Sequence, residues 1–209
     1  MTSRSVSCMV LVCLAALFAA SCSKPKSRYP PRVDLASFGT LGMIEFSAAA
    51  DEGLGPLASR EFLASLQSAQ PGTPVLELGD ERTVLAALSS RKLDVDAIRA
   101  IGEKYRVDAL VVGALLPESV QPNVSFDSAV QWMSASAALE SGLNARILDT
   151  RSGATVWSTA TRARAELARV DVDAYGVSSA SPNSPDDARL RLVRRLVQRA
   201  TCDFYPYWE

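Results

Sequence analysis

Few side chains in this chain could carry chemistry, and two cysteines stand out by position. Cys22 directly follows Ala19, Ala20 and Ser21, and Cys202 lies close to the end. There is no histidine. That removes the usual general base near neutral pH, the Ser-His-Asp triad and the commonest metal ligand. Cys202 is the only cysteine beyond position 22, so clustered thiolate–zinc sites are excluded as well. No glycine-rich phosphate loop of the Walker or GxGxxG kind occurs. Carboxylate or lysine chemistry stays open, but no spacing points to it, and no catalytic residue, metal or cofactor is expected. A formal net charge of −1 argues against a partner held through nucleic-acid phosphates.

The residues that position Cys22 form a leader. Arg4 precedes an apolar run from Met9 to Ala20, and the small residues Ala19, Ala20 and Ser21 close it. This is the pattern of a secretory signal. The run is shorter than the roughly 20 apolar residues of a membrane-spanning helix. Ala19-Ala20-Ser21-Cys22 resembles a bacterial lipoprotein signal. That resemblance implies removal of residues 1–21 and attachment of acyl chains, palmitate among them, to Cys22. Ser23 resembles the residue found after the cysteine in lipoproteins sent to the outer membrane. The same small residues also fit an ordinary A-x-A-like cleavage site. In that case Cys22 is a plain thiol in an oxidising compartment, and a Cys22–Cys202 disulfide is open. Residues 22–35 are polar and proline-rich and read as a tether, able to reach about 45 Å from a membrane.

Beyond the tether, residues 36–209 are enough for one domain with its own core. The hydrophobic fraction of 48% and charged fraction of 22% are those of a globular protein. Phe38–Phe46 predicts a first strand. Ala58, Phe62, Ser65, Leu66 and Ala69 have helical spacing, predicting a helix from about Pro56 to Ala69, stopped by Gln70-Pro71-Gly72. Val75–Leu78 reads as a short strand. Asp80 and Asp94 read as helix caps, the second ahead of a buried stripe of Val95, Ile98, Ile101 and Tyr105. Val107–Leu116 is a nearly continuous apolar run, which suits a central strand covered on both faces.

In the second half the period changes to two. Leu143, Ala145 and Ile147 alternate with polar residues, Asp149–Gly153 reads as a turn, and alternation resumes from Ala154 to Leu167. This predicts a long antiparallel hairpin. Phe126–Leu139 fits either a strand or a short helix. Residues 171–183 read as a polar loop. Ser184-Pro185-Asp186-Asp187 marks a helix start with a capping-box-like serine, and Leu190, Val193, Leu196, Val197 and Ala200 form its apolar stripe. The expected fold class is α/β, a single αβ sandwich with a mixed sheet and a long hairpin.

Two segments, 96–113 and 144–158, resemble periplasmic lipoproteins of the curli-secretion (CsgG-like) group. They also resemble the TolB amino-terminal domain and the LpoB-like activator of penicillin-binding proteins. The resemblance implies an α/β sandwich and a non-enzymatic role, and its motifs specify fold more than function. The expectation is an outer-membrane lipoprotein facing the periplasm. It would be tied to the membrane through a lipid on Cys22 and would act as a binding or scaffold module, as in peptidoglycan synthase regulation. The alternative is an oligomeric curli-type secretion or transport component, which would need membrane-lining hairpins. Candidate partner-binding residues are Tyr205, Tyr207 and Trp208 of the aromatic tail, which otherwise docks on the body. Arg162, Arg164 and the last-helix arginines read first as a solvated face and second as contacts for anionic polymer or lipid. Trp132 and Trp157 read as packing residues, and Cys202 as a buried, inert thiol.

Overall fold

The apolar run that predicts a central strand is one. In the computed structural model of the chain, which describes residues 28–49, 53–127, 132–173, 176–182 and 184–208, it forms β5 (Ala109–Leu115). Three parallel strands precede it in the chain: β2 (Leu41–Ile44) and β3 (Ser47–Ala48), which pair with it, and β4 (Val75–Gly79), which pairs with β2. Four antiparallel strands follow: β6 (Ser119–Asp127), β7 (Trp132–Asp149), β8 (Thr155–Asp173) and β9 (Gly176–Pro182). The path through this eight-stranded mixed sheet is β4-β2-β5-β7-β8-β9, with β3 on β5 and β6 on β7. The fold class is therefore the α/β one expected. The leader and Cys22 lie outside the described residues.

Helices cover both faces. Helix α1 (Leu54–Ala69) and helix α4 (Pro185–Ala200) lie on one, α2 (Glu81–Ala86) and α3 (Val95–Tyr105) on the other. Ala109, Val111 and Leu115 of β5 enter the first core, while Leu110 and Val112 enter the second. Phe62 and Leu66 of α1 and Leu196 of α4 are fully buried. Each such side chain stabilises the fold by about 1.5–3 kcal/mol through burial alone.

The helix starts follow their caps. The Asp80 and Asp94 carboxylates accept from the N–H groups of Thr83 and Ala97, at 2.9 and 3.0 Å. Ser184 makes no such side-chain bond, so no capping box forms. Pro185, at a position whose N–H would be an orphan anyway, and the acids Asp186 and Asp187 start α4 instead. The buried stripe of α4 runs through Ala188, Leu192, Val193, Leu196, Val197 and Ala200; Leu190 is only half-buried and Leu192 takes its expected place. Val95 is exposed as well, and Ala97 is buried with Ile98 and Ile101 in its stead.

Three further expectations change. The first strand begins at Leu41, since Leu35–Phe38 is a 3-10 turn capped by Asp34. Leu35, read as tether, is fully buried, and the Val33 N–H donates to Asp203 O, so the body reaches back into that segment. Residues read as a polar loop at 171–183 instead carry β8 to Asp173 and supply β9, where Ala180 and Ser179 pair with Val170 and Asp171. The ambiguous segment at 126–139 is strand on both sides of residues 128–131.

Candidate functional site

The two segments that carry the family resemblance meet. β5 pairs with β7, Val111 opposite Ile147, and helix α3 crosses beside the Asp149–Gly153 turn. The Thr150 hydroxyl donates toward Val107 O and Asp108 O, at 2.9 and 2.8 Å. A Cβ on Gly102 would lie 2.6 Å from the Thr150 Cβ, so the glycine is what lets the helix approach the turn. Gly153 holds φ +74, a left-handed conformation that closes the turn. The Ser152 hydroxyl and N–H both donate to the Asp149 carboxylate and hold it below its usual pKa. This constellation is structural: the Asp149 and Ser152 bonds fix the turn, and the Thr150 hydroxyl ties it to the residues ahead of β5.

The other carboxylates whose pKa is displaced tell the same story. Asp80 is lowered first by the Thr83 hydroxyl, Asp94 by the Ala97 N–H and Asp171 by the Ser134 hydroxyl. Two are caps and one is a sheet-surface partner of Arg169 and Ser179. Among the described residues no group of three or more Cys, Asp or Glu is arranged to hold a metal ion.

The arginines also have structural work, which their spacing could have signalled. Arg191, Arg195 and Arg199 of α4 donate to the backbone carbonyls of Glu166, Arg164 and Arg162. Four residues of helix rise about 6.0 Å and two residues of strand about 6.6 Å. An i, i+4, i+8 arginine ladder therefore matches alternate carbonyls along β8, where β9 does not reach. Arg164 itself bonds Glu140 at 2.7 Å.

The aromatic tail divides. Phe204 is fully buried, 4.7 Å from Trp157 and edge-on to Phe62 at 6.4 Å. Trp157 is buried, as a packing residue should be; the side chain of Trp132 lies outside the described residues. The Tyr205 hydroxyl donates to Ser65 O at 3.0 Å. The Gln70 amide ties three segments, donating to Val33 O and Phe204 O and accepting from the Leu35 N–H. Tyr207 and Trp208 form β10 (Tyr207–Trp208), which pairs antiparallel with β1 (Arg28–Tyr29). Tyr207 stacks on Tyr29 at 5.4 Å, with the rings 18° apart. Residues 31–205 form one compact unit, and residues 28–30 with 206–208 belong to a second. Of the three candidate residues, Tyr205 belongs to the body, and Tyr207 and Trp208 to the paired ends.

Two open grooves mark the body. One, of about 580 Å³, lies between α1 and α4 and is lined by Glu61, Ser65, Arg194, Gln198, Cys202 and Tyr205. Cys202 is exposed there, contrary to the expected burial, because the 3-10 turn at Cys202–Phe204 turns Phe204 inward and the thiol outward. Its sulfur is a free thiol among the described residues. The second groove, of about 870 Å³, opens at the carboxyl ends of β2 and β4, between Glu45, Asp80, Arg82 and Arg91. Strand ends of this kind often bind ligands in α/β sheets.

No family model matches the chain, and no curated protein matches it. Solved structures with a similar fold include a Helicobacter pylori homologue of neuraminyllactose-binding hemagglutinin, 11% identical over 85% of this chain and 87% of that one, with a TM-score of 0.47. Lipoprotein GNA1162 of Neisseria meningitidis is 15% identical over 77% and 96%, with a TM-score of 0.40. The LpoB C-terminal domain of Salmonella enterica is 9% identical over 60% and 82%, with a TM-score of 0.34.

Proposed function

We propose that the chain is a non-enzymatic lipoprotein of the bacterial envelope, held at the periplasmic face of the outer membrane by a lipid on Cys22. Its folded domain serves as a binding or scaffold module for an envelope protein assembly, such as one that regulates peptidoglycan synthases. The observation that carries the reading is how the perturbed carboxylates are used. Asp80, Asp94, Asp149 and Asp171 are all committed to caps, a turn or the sheet surface, and Asp80, which lines the second groove, has both carboxylate oxygens on Thr83. What the body offers instead is open surface, including the α1–α4 groove beside Tyr205. The leader residues Ala19 to Cys22 support the location.

In-cell photocrosslinking from position 205, followed by mass spectrometry, tests the module. An envelope protein is the expected product. A hydrolase or transferase activity of the purified protein, lost on changing one carboxylate, would overturn the reading. The anchor has its own test: the Cys22→Ala protein should leave the membrane fraction.

A further inference from the structure

The helices end where part of the sheet continues. Beyond Leu139 and Ala165, which still lie in the first core, β6, β7, β8 and β9 run on as a four-stranded antiparallel arm. Register places Val120, Val124, Ala135, Ala137, Val170 and Val172 on one face of it. That face continues the surface that carries Leu143 and Ile147 under α1 and α4. The opposite face carries Gln121, Asn123, Ser134, Arg169 and Asp171, so the arm's described charged groups lie away from the apolar side. Val120 and Val124 are 58% and 54% exposed, and no described helix covers them.

We propose that a second copy of this chain covers the apolar face, arm against arm about a twofold axis. Hydrocarbon is the poorer occupant. β6 and β9 each have a partner on one side only, and open strand edges within a bilayer leave backbone groups unsatisfied. In a face-to-face dimer those edges stay in water. The step at the end of the arm fits as well. A helix layer is about 10 Å thick, and stacked sheets lie about 10 Å apart. A second arm therefore fills the shelf at the height of α4.

Size sets the strength. Four strands about 4.8 Å apart, over six residue steps of about 3.3 Å, give a footprint of about 400 Å². Apolar patches of that size on a monomer mark interaction sites. Two of them approach the roughly 1,000 Å² of the smallest specific interfaces, which makes the dimer weak and concentration-dependent. A twofold axis is natural because the same uncharged patch serves both partners.

Sedimentation velocity on the full chain carrying Cys22→Ser, over a wide concentration range, tests the proposal. The expected result is a monomer–dimer equilibrium. Val124→Asp and Val170→Asp, each adding a charge to the apolar face, should raise the dimer dissociation constant at least about tenfold. Ser125→Asp, on the other face, should leave it unchanged. Circular dichroism melts confirm that each variant folds, and the concentration dependence of the unmutated face stands as evidence without them. Four outcomes overturn the proposal: a monomer throughout, a dimer indifferent to both valine changes, a ring of many copies, or a monomer that binds phosphatidylglycerol vesicles through Val124. The third restores an oligomeric transport component, and the fourth makes hydrocarbon the occupant.

Discussion

β5 and β6 are consecutive strands on the same side of β7, yet they live in different environments. β5 is sealed on both faces, with Leu110 and Val111 at zero exposure in opposite cores. β6 is exposed at every residue from Ser119 to Ser125. The difference comes from the helices. α1 and α4 span β5 and the far half of β7, and α4 begins at Pro185, alongside the start of the arm. β5 is also hydrogen-bonded on both sides, to β2 and β3 and to β7, whereas β6 pairs with β7 alone, so the two strands differ in pairing as well as in burial. One sheet thus contains a completed core and a surface left open.

The widest separation should appear on truncating one side chain in each region. Leu143→Ala, at a fully buried site, is expected to destabilise the protein by about 2–5 kcal/mol in urea unfolding. Val124→Ala in the arm should change it by less than about 0.5 kcal/mol in dilute solution. Equal effects would erase the contrast. Gly102→Ala comes next. Its Cβ would press on Thr150 and separate α3 from the turn, costing about 1–3 kcal/mol by the same measurement.

Acid should act on the body through Asp149. The folded state holds this carboxylate below its ordinary value, so its stabilisation is complete above about pH 4 and fades as pH falls through the folded pKa. Asp149→Asn should flatten that part of the acid limb of the pH–stability profile. An unchanged slope below pH 4 would mean that the turn does not contribute. A small effect of opposite sign sits at the end of α3, where Arg106 takes φ 56 with its N–H on Gly102 O. Glycine is the usual residue there, and Arg106→Gly should raise the melting free energy by roughly 0.5 kcal/mol.

The contrast also explains what could be read from the residues alone. Val107–Leu116 is legible because a strand buried on both faces must be apolar throughout. The Asp149–Gly153 turn is legible because its chemistry is local. β9 is not, since Gly176, Ser179 and Ser181 resemble loop residues when their stabilising partners lie on another strand. The arm's apolar face is hidden for a related reason. Serine and alanine alternate along β7 from Ser134 to Ala137, and small residues give a weak period-two signal. Leu35 reads as tether from the proline-rich residues before it, and the Gln70 side chain that accepts its N–H is distant in sequence. Cys202 looked buried because free cysteines usually are, whereas the 3-10 turn ahead of Phe204 decides its direction. At the tail, aromatic density marked the segment but not its division between Phe204 and Tyr205 on the body and Tyr207 and Trp208 in the paired ends.

Amide hydrogen exchange on the Cys22→Ser chain, followed residue by residue at low and high protein concentration, decides whether one sheet holds a sealed region and an open one. Amides in 109–115 and 143–148 are expected to exchange only through global unfolding at either concentration. Those in 120–125 and 133–138 should exchange far faster when dilute and slow on concentration as the second copy covers them. Arm amides as protected as those of β5 at every dilution would contradict it.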